Sequence, residues 1–164
     1  MTLTQENSIT LDKNQLAQIC TSHKWIRAMQ LASPFESFSD FINLADKAFS
    51  QLQEDDWLEA FSGHPMIGDL DTLKEKYSQG KALSESEQSQ VSEAPDEVLK
   101  QLLNMNHAYL KKYGFIFIVC ATGKSAQEML NILNERYQNS RTTELVNASV
   151  EQRKISQIRM EAYK

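Results

Sequence analysis

From Leu11 onwards, apolar residues recur three and four positions apart along most of the chain. That spacing marks helices with one buried face. Leu16, Ile19 and Cys20 share such a face, and Trp25, Ile26 and Met29 supply a second short helix. Ser33-Pro34 ends it, because the residue before a proline avoids helical geometry. Ser37, with Asp40 three residues on, opens a longer helix. Its buried stripe is Phe38, Phe41, Ala45, Ala48, Phe49 and Leu52. Asp55 or Asp56 caps the next helix, which carries Trp57, Leu58 and Phe61 and stops at Gly63.

Polar and charged residues take over from Asp69 to Glu93, with a break at Gln79-Gly80. Ser84-x-x-Glu87 has capping-box form and predicts the start of a short helix. Pro95 suits the first position of another helix, which runs through Val98, Leu99, Leu102, Met105, Tyr109 and Leu110 to Gly114. The segment GFIFIVCA that follows is β-branched and aromatic, as a strand would be. No second convincing strand exists to pair with it, so it reads as a buried extended stretch between helices. Ser125-x-x-Glu128 is a further capping box, opening a helix lined by Met129, Leu130, Leu133 and Tyr137. A last helix runs from about Thr142 to the terminus, with Leu145, Ala148, Ile155 and Ile158 inward. The pattern predicts an all-α, single-domain helical bundle over residues 11–164, with a short buried extended segment near 115–121. Residues 1–10 are expected to be a loose tail.

Composition narrows this reading without changing it. A chain of 164 residues suits one domain with one sizeable core. Five glycines and three prolines are too few for the many turns of an all-β design. A net charge of -5 argues against nucleic acid as a partner. The two cysteines, Cys20 and Cys120, lie in apolar surroundings and suggest a reducing compartment. The opening MTLTQENSIT has neither the basic nor the apolar region of a secretory signal. Phe115 to Ala121, the longest apolar run, is too short to span a membrane. The chain ends Glu-Ala-Tyr-Lys, without a peroxisomal tripeptide. A cytoplasmic protein with no membrane partner is the expectation.

Candidate chemistry is sparse. Cys20-x-x-His23 has metal-ligand spacing, but no second ligand pair follows at a zinc-like interval, so no metal site is expected. His107 sits mid-helix, Cys120 has no cationic neighbour in sequence, and neither a phosphate loop nor a nucleophile elbow is present. His64 stands at the bend of FSGHPMIGDL, where a helix gives out. Either its imidazole faces the last carbonyls of that helix, or the bend presents it to a pocket as an acid or base. Glu87 is likewise either a capping-box partner or a ligand. Arg159, between Ile158 and Met160, is either a snorkelling surface residue or a functional cation.

In order along the chain, FSGHPMIGD, LSESEQ, LNMNHAYLKKYGFIFIVCATG and an arginine near the end of the last helix resemble the OHCU decarboxylase family. These are the 2-oxo-4-hydroxy-4-carboxy-5-ureidoimidazoline decarboxylases of urate breakdown. Trp25, Pro34-Phe35 and Trp57-Leu58 also fall where the family has similar residues, so the likeness runs from about Leu11 to Tyr163. The resemblance implies an all-α carboxy-lyase with no metal and no organic cofactor, usually a homodimer, that converts OHCU to (S)-allantoin and CO2. It implies His64, Glu87 and Arg159 as catalytic residues, with Pro65 shaping the turn that carries the histidine. Ser84, Glu85, Ser86 and Gln88 fall in the substrate-binding S-x-x-E-Q region. Phe115, Ile116, Phe117, Ile118 and Val119 match a segment whose backbone meets the substrate. Ile116 stands where the family often has proline, and Met66 where it often has a charged residue. The readings outside this family are a non-enzymatic helical interaction module and a different small-molecule lyase on the same scaffold.

Overall fold

A computed structural model describes residues 8–65, 70–71, 73–75 and 96–164. The described residues form two compact units, one drawn from Met1–His64, Ile118–Cys120 and Leu145–Lys164, the other from Pro65–Phe117 and Ala121–Glu144. Helices build both, and no strand occurs among the described residues.

In the first unit, Ile9 falls within the stretch expected to be a loose tail. Ile9 exchanges both backbone hydrogen bonds with Phe35 at 2.8 Å, as an isolated antiparallel bridge. Helix α1 (Lys13–Ile19) begins at Asp12, whose carboxylate accepts the Gln15 N–H while the Gln15 side chain accepts the Asp12 N–H. Helix α2 (His23–Ala32) is capped by Ser22 and ends at Ser33, before Pro34. Helix α3 (Phe38–Ser50) begins at Ser37, which accepts the Asp40 N–H. Helix α4 (Glu54–Ser62) starts earlier than expected. Its cap is Gln53, and Asp56 reaches back to accept the Gln53 N–H, so neither Asp55 nor Asp56 is itself the cap.

These helices enclose an aromatic core. Trp25, Phe35, Phe41, Phe49 and Phe61 are essentially inaccessible, and Trp25 and Trp57 both stack with Phe49. Each such side chain contributes roughly 1.5–3 kcal/mol of transfer free energy, so this cluster sets where α1 to α4 lie.

In the second unit, α5 (Asp96–Tyr113) packs on α6 (Ala126–Arg136). Gly114 stops α5 with φ of 83°, a left-handed conformation that glycine adopts without strain. Ser125 caps α6 by accepting the Glu128 N–H, but Glu128 accepts the serine hydroxyl rather than a backbone group. The unit also buries charge. Arg136 and Glu144 pair at 2.7 Å, and Glu144 has no accessible surface. Tyr109 donates its hydroxyl to the same carboxylate at 2.6 Å, and Asn139 donates its amide at 2.9 Å.

Residues 115–121 belong to neither helix nor strand, with Phe115 and Ile118 buried and the rest half-buried. Cys120, expected to be buried, is half-buried, and its N–H donates to Glu151 at 3.2 Å.

Helix α7 (Arg141–Met160) continues as a short 3-10 turn, Glu161–Tyr163. Its inward row differs from the expected one. Glu144, Ala148, Gln152, Ser156 and Met160 are buried, whereas Ile158 is 48% exposed and Leu145 and Ile155 are half-buried. Four-residue steps put the first five on one face, two residues out of phase with Ile158.

Candidate active site

Three pieces of the first unit converge around His64: the C-terminal ends of α1 and α4, and the buried row of α7. The link between α1 and α2 holds the first two pieces together. Thr21 Oγ1 lies 3.0 Å from the Glu59 carbonyl and 3.2 Å from that of Ala60, so its proton satisfies the last turn of α4. Gly63 is the turn's contribution to that closeness. A Cβ built there would fall 2.2 Å from Thr21 Oγ1. Gly63→Ala is therefore expected to lower stability by about 1–3 kcal/mol, as overpacking does, and to reduce activity by moving the residue next to it. Thermal melting and turnover check this, and wild-type values for both would show that the turn yields freely.

His64 does not point its ring at the end of its own helix. Its backbone N–H donates to Phe61 at 3.1 Å, and its imidazole Nε2 instead meets the Gln152 side-chain oxygen at 2.5 Å. Burial holds this imidazole below its ordinary pKa of 6.5. The Gln152 hydrogen bond works against that depression, and the charge of Arg159 works with it. The ring is consequently neutral at pH 7, the form that accepts a proton.

Arg159 sits where α7 passes the end of α1. Its Nη1 donates to the carbonyls of Gln18 and Ile19 at 3.2 and 3.3 Å, groups with no partner inside α1. Among the described residues its Nε and Nη2 have no acceptor. The residue is exposed yet anchored at one corner of its fork.

Both side chains line a cavity of about 510 Å³, together with Cys20, Thr21, Gln152 and Tyr163. Cys20 is buried in its wall, and burial pushes the thiol up to about 11. Nearby, His23 Nδ1 bonds to the Glu59 carboxylate at 2.8 Å.

Of the other expected site residues, Ser84, Glu85, Ser86, Glu87 and Gln88 lie outside the described residues. Pro65 is exposed. Ile118 and Val119, in the first unit, are not among the residues that line the cavity. In the second unit, the Phe117 ring lies 4.7 Å from the Arg136 guanidinium and 5.4 Å from the Tyr109 ring. Sequence reasoning missed Gln152 and Ser156. Their one signal was position, since both lie at four-residue steps from Ala148.

An imidazole and a guanidinium line one open cavity of a helical domain, a candidate small-molecule site on an all-α scaffold. A solved decarboxylase shares that scaffold. A crystal structure of OHCU decarboxylase in the presence of (S)-allantoin matches with a TM-score of 0.74 and 33% identity, over 93% of this chain and 97% of that one. The chain belongs to the OHCU decarboxylase family, whose model matches residues 9–161. A crystal structure of (S)-allantoin synthase has the same fold, with a TM-score of 0.65 at 20% identity over 92% of this chain and 49% of that one. Among relatives, a uric acid degradation bifunctional protein of Arabidopsis thaliana is 36% identical over 141 residues, which is 86% of this chain and 44% of the relative. A uric acid degradation bifunctional protein of Bacillus subtilis is 24% identical over 159 residues, 96% of this chain and 31% of the relative. The chain thus spans less than half the length of these two bifunctional relatives.

Proposed function

We propose that the chain catalyses the cofactor-independent decarboxylation of OHCU to (S)-allantoin and CO2 in urate breakdown, as a cytoplasmic homodimer. The likeness to the decarboxylase crystallised with (S)-allantoin, which spans nearly the whole of both chains, is the observation that carries this reading. The substrate bears a carboxylate and a hydroxyl on one ring carbon, beside the carbon with the ureido group. Breaking the bond to the carboxylate passes its electron pair into the adjacent ring unsaturation, and CO2 leaves. The resulting enol loses its hydroxyl proton and gains one, from one face, at the ureido-bearing carbon. His64, neutral at pH 7 and held at a bend, suits that proton transfer. Arg159 offers its unanchored edge to a substrate oxygen.

The experiment is to add the protein to freshly generated OHCU and follow both its disappearance and the optical rotation of the allantoin formed. Faster loss with one enantiomer in excess supports the reading. Loss at the uncatalysed rate, with racemic product, rejects it.

Two side chains carry further expectations. Arg159→Lys keeps the charge but not the planar fork. It is expected to cost about 1 kcal/mol or less of stability, because the bonds to Gln18 and Ile19 are partly exposed, while weakening allantoin binding by tenfold or more, on the order of one lost charged hydrogen bond. Calorimetric titration with allantoin measures it, and equal affinities would make Arg159 only the clasp of α1. Glu87 is proposed to accept hydrogen bonds from substrate N–H groups. Glu87→Gln should then melt close to wild type yet lose most of its turnover, whereas a cap would show a stability loss of about 1 kcal/mol and unchanged turnover.

A further inference from the structure

The buried row of α7 carries an amide and a hydroxyl, Gln152 and Ser156, both without accessible surface. Ser156 Oγ donates to the Ile19 carbonyl at 2.9 Å. A carbonyl only accepts, so the hydroxyl proton is committed there and the serine oxygen turns its lone pairs to Gln152. Gln152 Nε2 donates to that oxygen at 3.0 Å. The two ends of an amide are alike in shape, and only their partners tell them apart. Here the nitrogen is taken by Ser156, which leaves the amide oxygen facing His64 Nε2 at 2.5 Å. An amide oxygen only accepts, so the proton in that contact belongs to the imidazole. The opposite arrangement would need Ser156 to donate to Gln152. It would leave the Ile19 carbonyl with only the longer Arg159 bond of 3.3 Å.

We propose that Gln152 and Ser156 form a one-way hydrogen-bond chain, anchored on the Ile19 carbonyl, that holds His64 as its Nε2–H tautomer and leaves Nδ1 to exchange the proton with substrate. Among the described residues Nδ1 has no protein partner. Gln152 is a positioning residue, and its role rests on the reading of His64 as the proton-transfer group. A neutral amide orients the ring without adding charge beside it. A carboxylate in its place would favour the imidazolium and take the base out of its neutral form. The charge facing the ring is that of Arg159, from the same helix as Gln152.

The test is long-range nitrogen–proton NMR on protein labelled with 15N-histidine, which distinguishes the two tautomers without any turnover. Wild type is expected to show His64 as Nε2–H. Gln152→Glu, which still only accepts, should keep that tautomer and move both the His64 titration and the acid limb of activity to higher pH. Gln152→Met, with no acceptor, should mix the tautomers and lower kcat about 100-fold, with KM little changed. Ser156→Ala releases the amide to rotate and should bring in the Nδ1–H form, which keeps the test available if Gln152→Met fails to fold. An Nδ1–H signal in wild type would overturn the chain, as would an unchanged tautomer and unchanged kcat in Gln152→Met or Ser156→Ala. Normal turnover by His64→Asn would instead overturn the proton-transfer reading, and the tautomer signal would still report on the chain.

Discussion

His64→Asn is expected to lower turnover of OHCU by about 100- to 10,000-fold while the protein melts close to wild type, the range a lost general acid–base group spans. Asparagine keeps a polar side chain near Gln152 but has no group that gains and loses a proton near neutral pH. The imidazole it replaces is held below its ordinary 6.5, chiefly by burial. Wild-type activity should therefore be level around pH 7 and fall only as the pH drops through that lowered value. Stability follows with a definite sign. The unfolded chain binds this proton more readily than the folded one, so wild type loses stability as pH falls from 6.5 towards the folded pKa. His64→Asn lacks that loss, and the two melting curves should differ below pH 6.5 but not above it. Near-normal turnover by the folded variant would end the assignment.

The largest expected effect on stability lies in the second unit. Arg136→Met removes the guanidinium that pairs at 2.7 Å with Glu144, which has no accessible surface. Breaking a buried pair from one side costs about 3–5 kcal/mol. In a protein of this size that corresponds to a drop in melting temperature of roughly 6–20 °C. Tyr109 and Asn139 still bond to the carboxylate, but neither supplies a positive charge. Adding Glu144→Gln to Arg136→Met should recover part of the loss, because an amide needs no counter-charge and still accepts from Tyr109. If Arg136→Met melts like wild type, water reaches the carboxylate and the pair is not a closed one.

The helices that could be read from the sequence are those whose buried faces are apolar. In α3, Phe41, Ala45, Ala48 and Phe49 follow helical spacing and Ser37 caps the start, so pattern and structure coincide. In α7 they part. Its inward face carries Glu144, Gln152 and Ser156, residue types that ordinarily face water, and the eye moves to Ile158, which is exposed. The hydrogen bonds that make such burial tolerable come from distant segments: Ile19 for Ser156, His64 for Gln152, Tyr109 and Arg136 for Glu144. Local periodicity carries no trace of them. His64 was legible because Gly-His-Pro is an unusual way to end a helix, and Arg159 only because of the family's likeness. Gln152 had neither signal. The cap of α4 was misplaced for a smaller reason, since glutamine is a weak cap and three acidic residues follow it.

Cys20 places a sulfur atom in the wall of the cavity, with its thiol pushed up to about 11. Alkylating reagents and peroxides attack the thiolate, not the thiol. At pH 7 a group with that pKa is ionised in only about one molecule in ten thousand. Oxidation of Cys20 is accordingly expected to be slow at neutral pH, despite its place in the cavity wall. Handling the protein in air without a reductant should leave the chemistry at His64 intact.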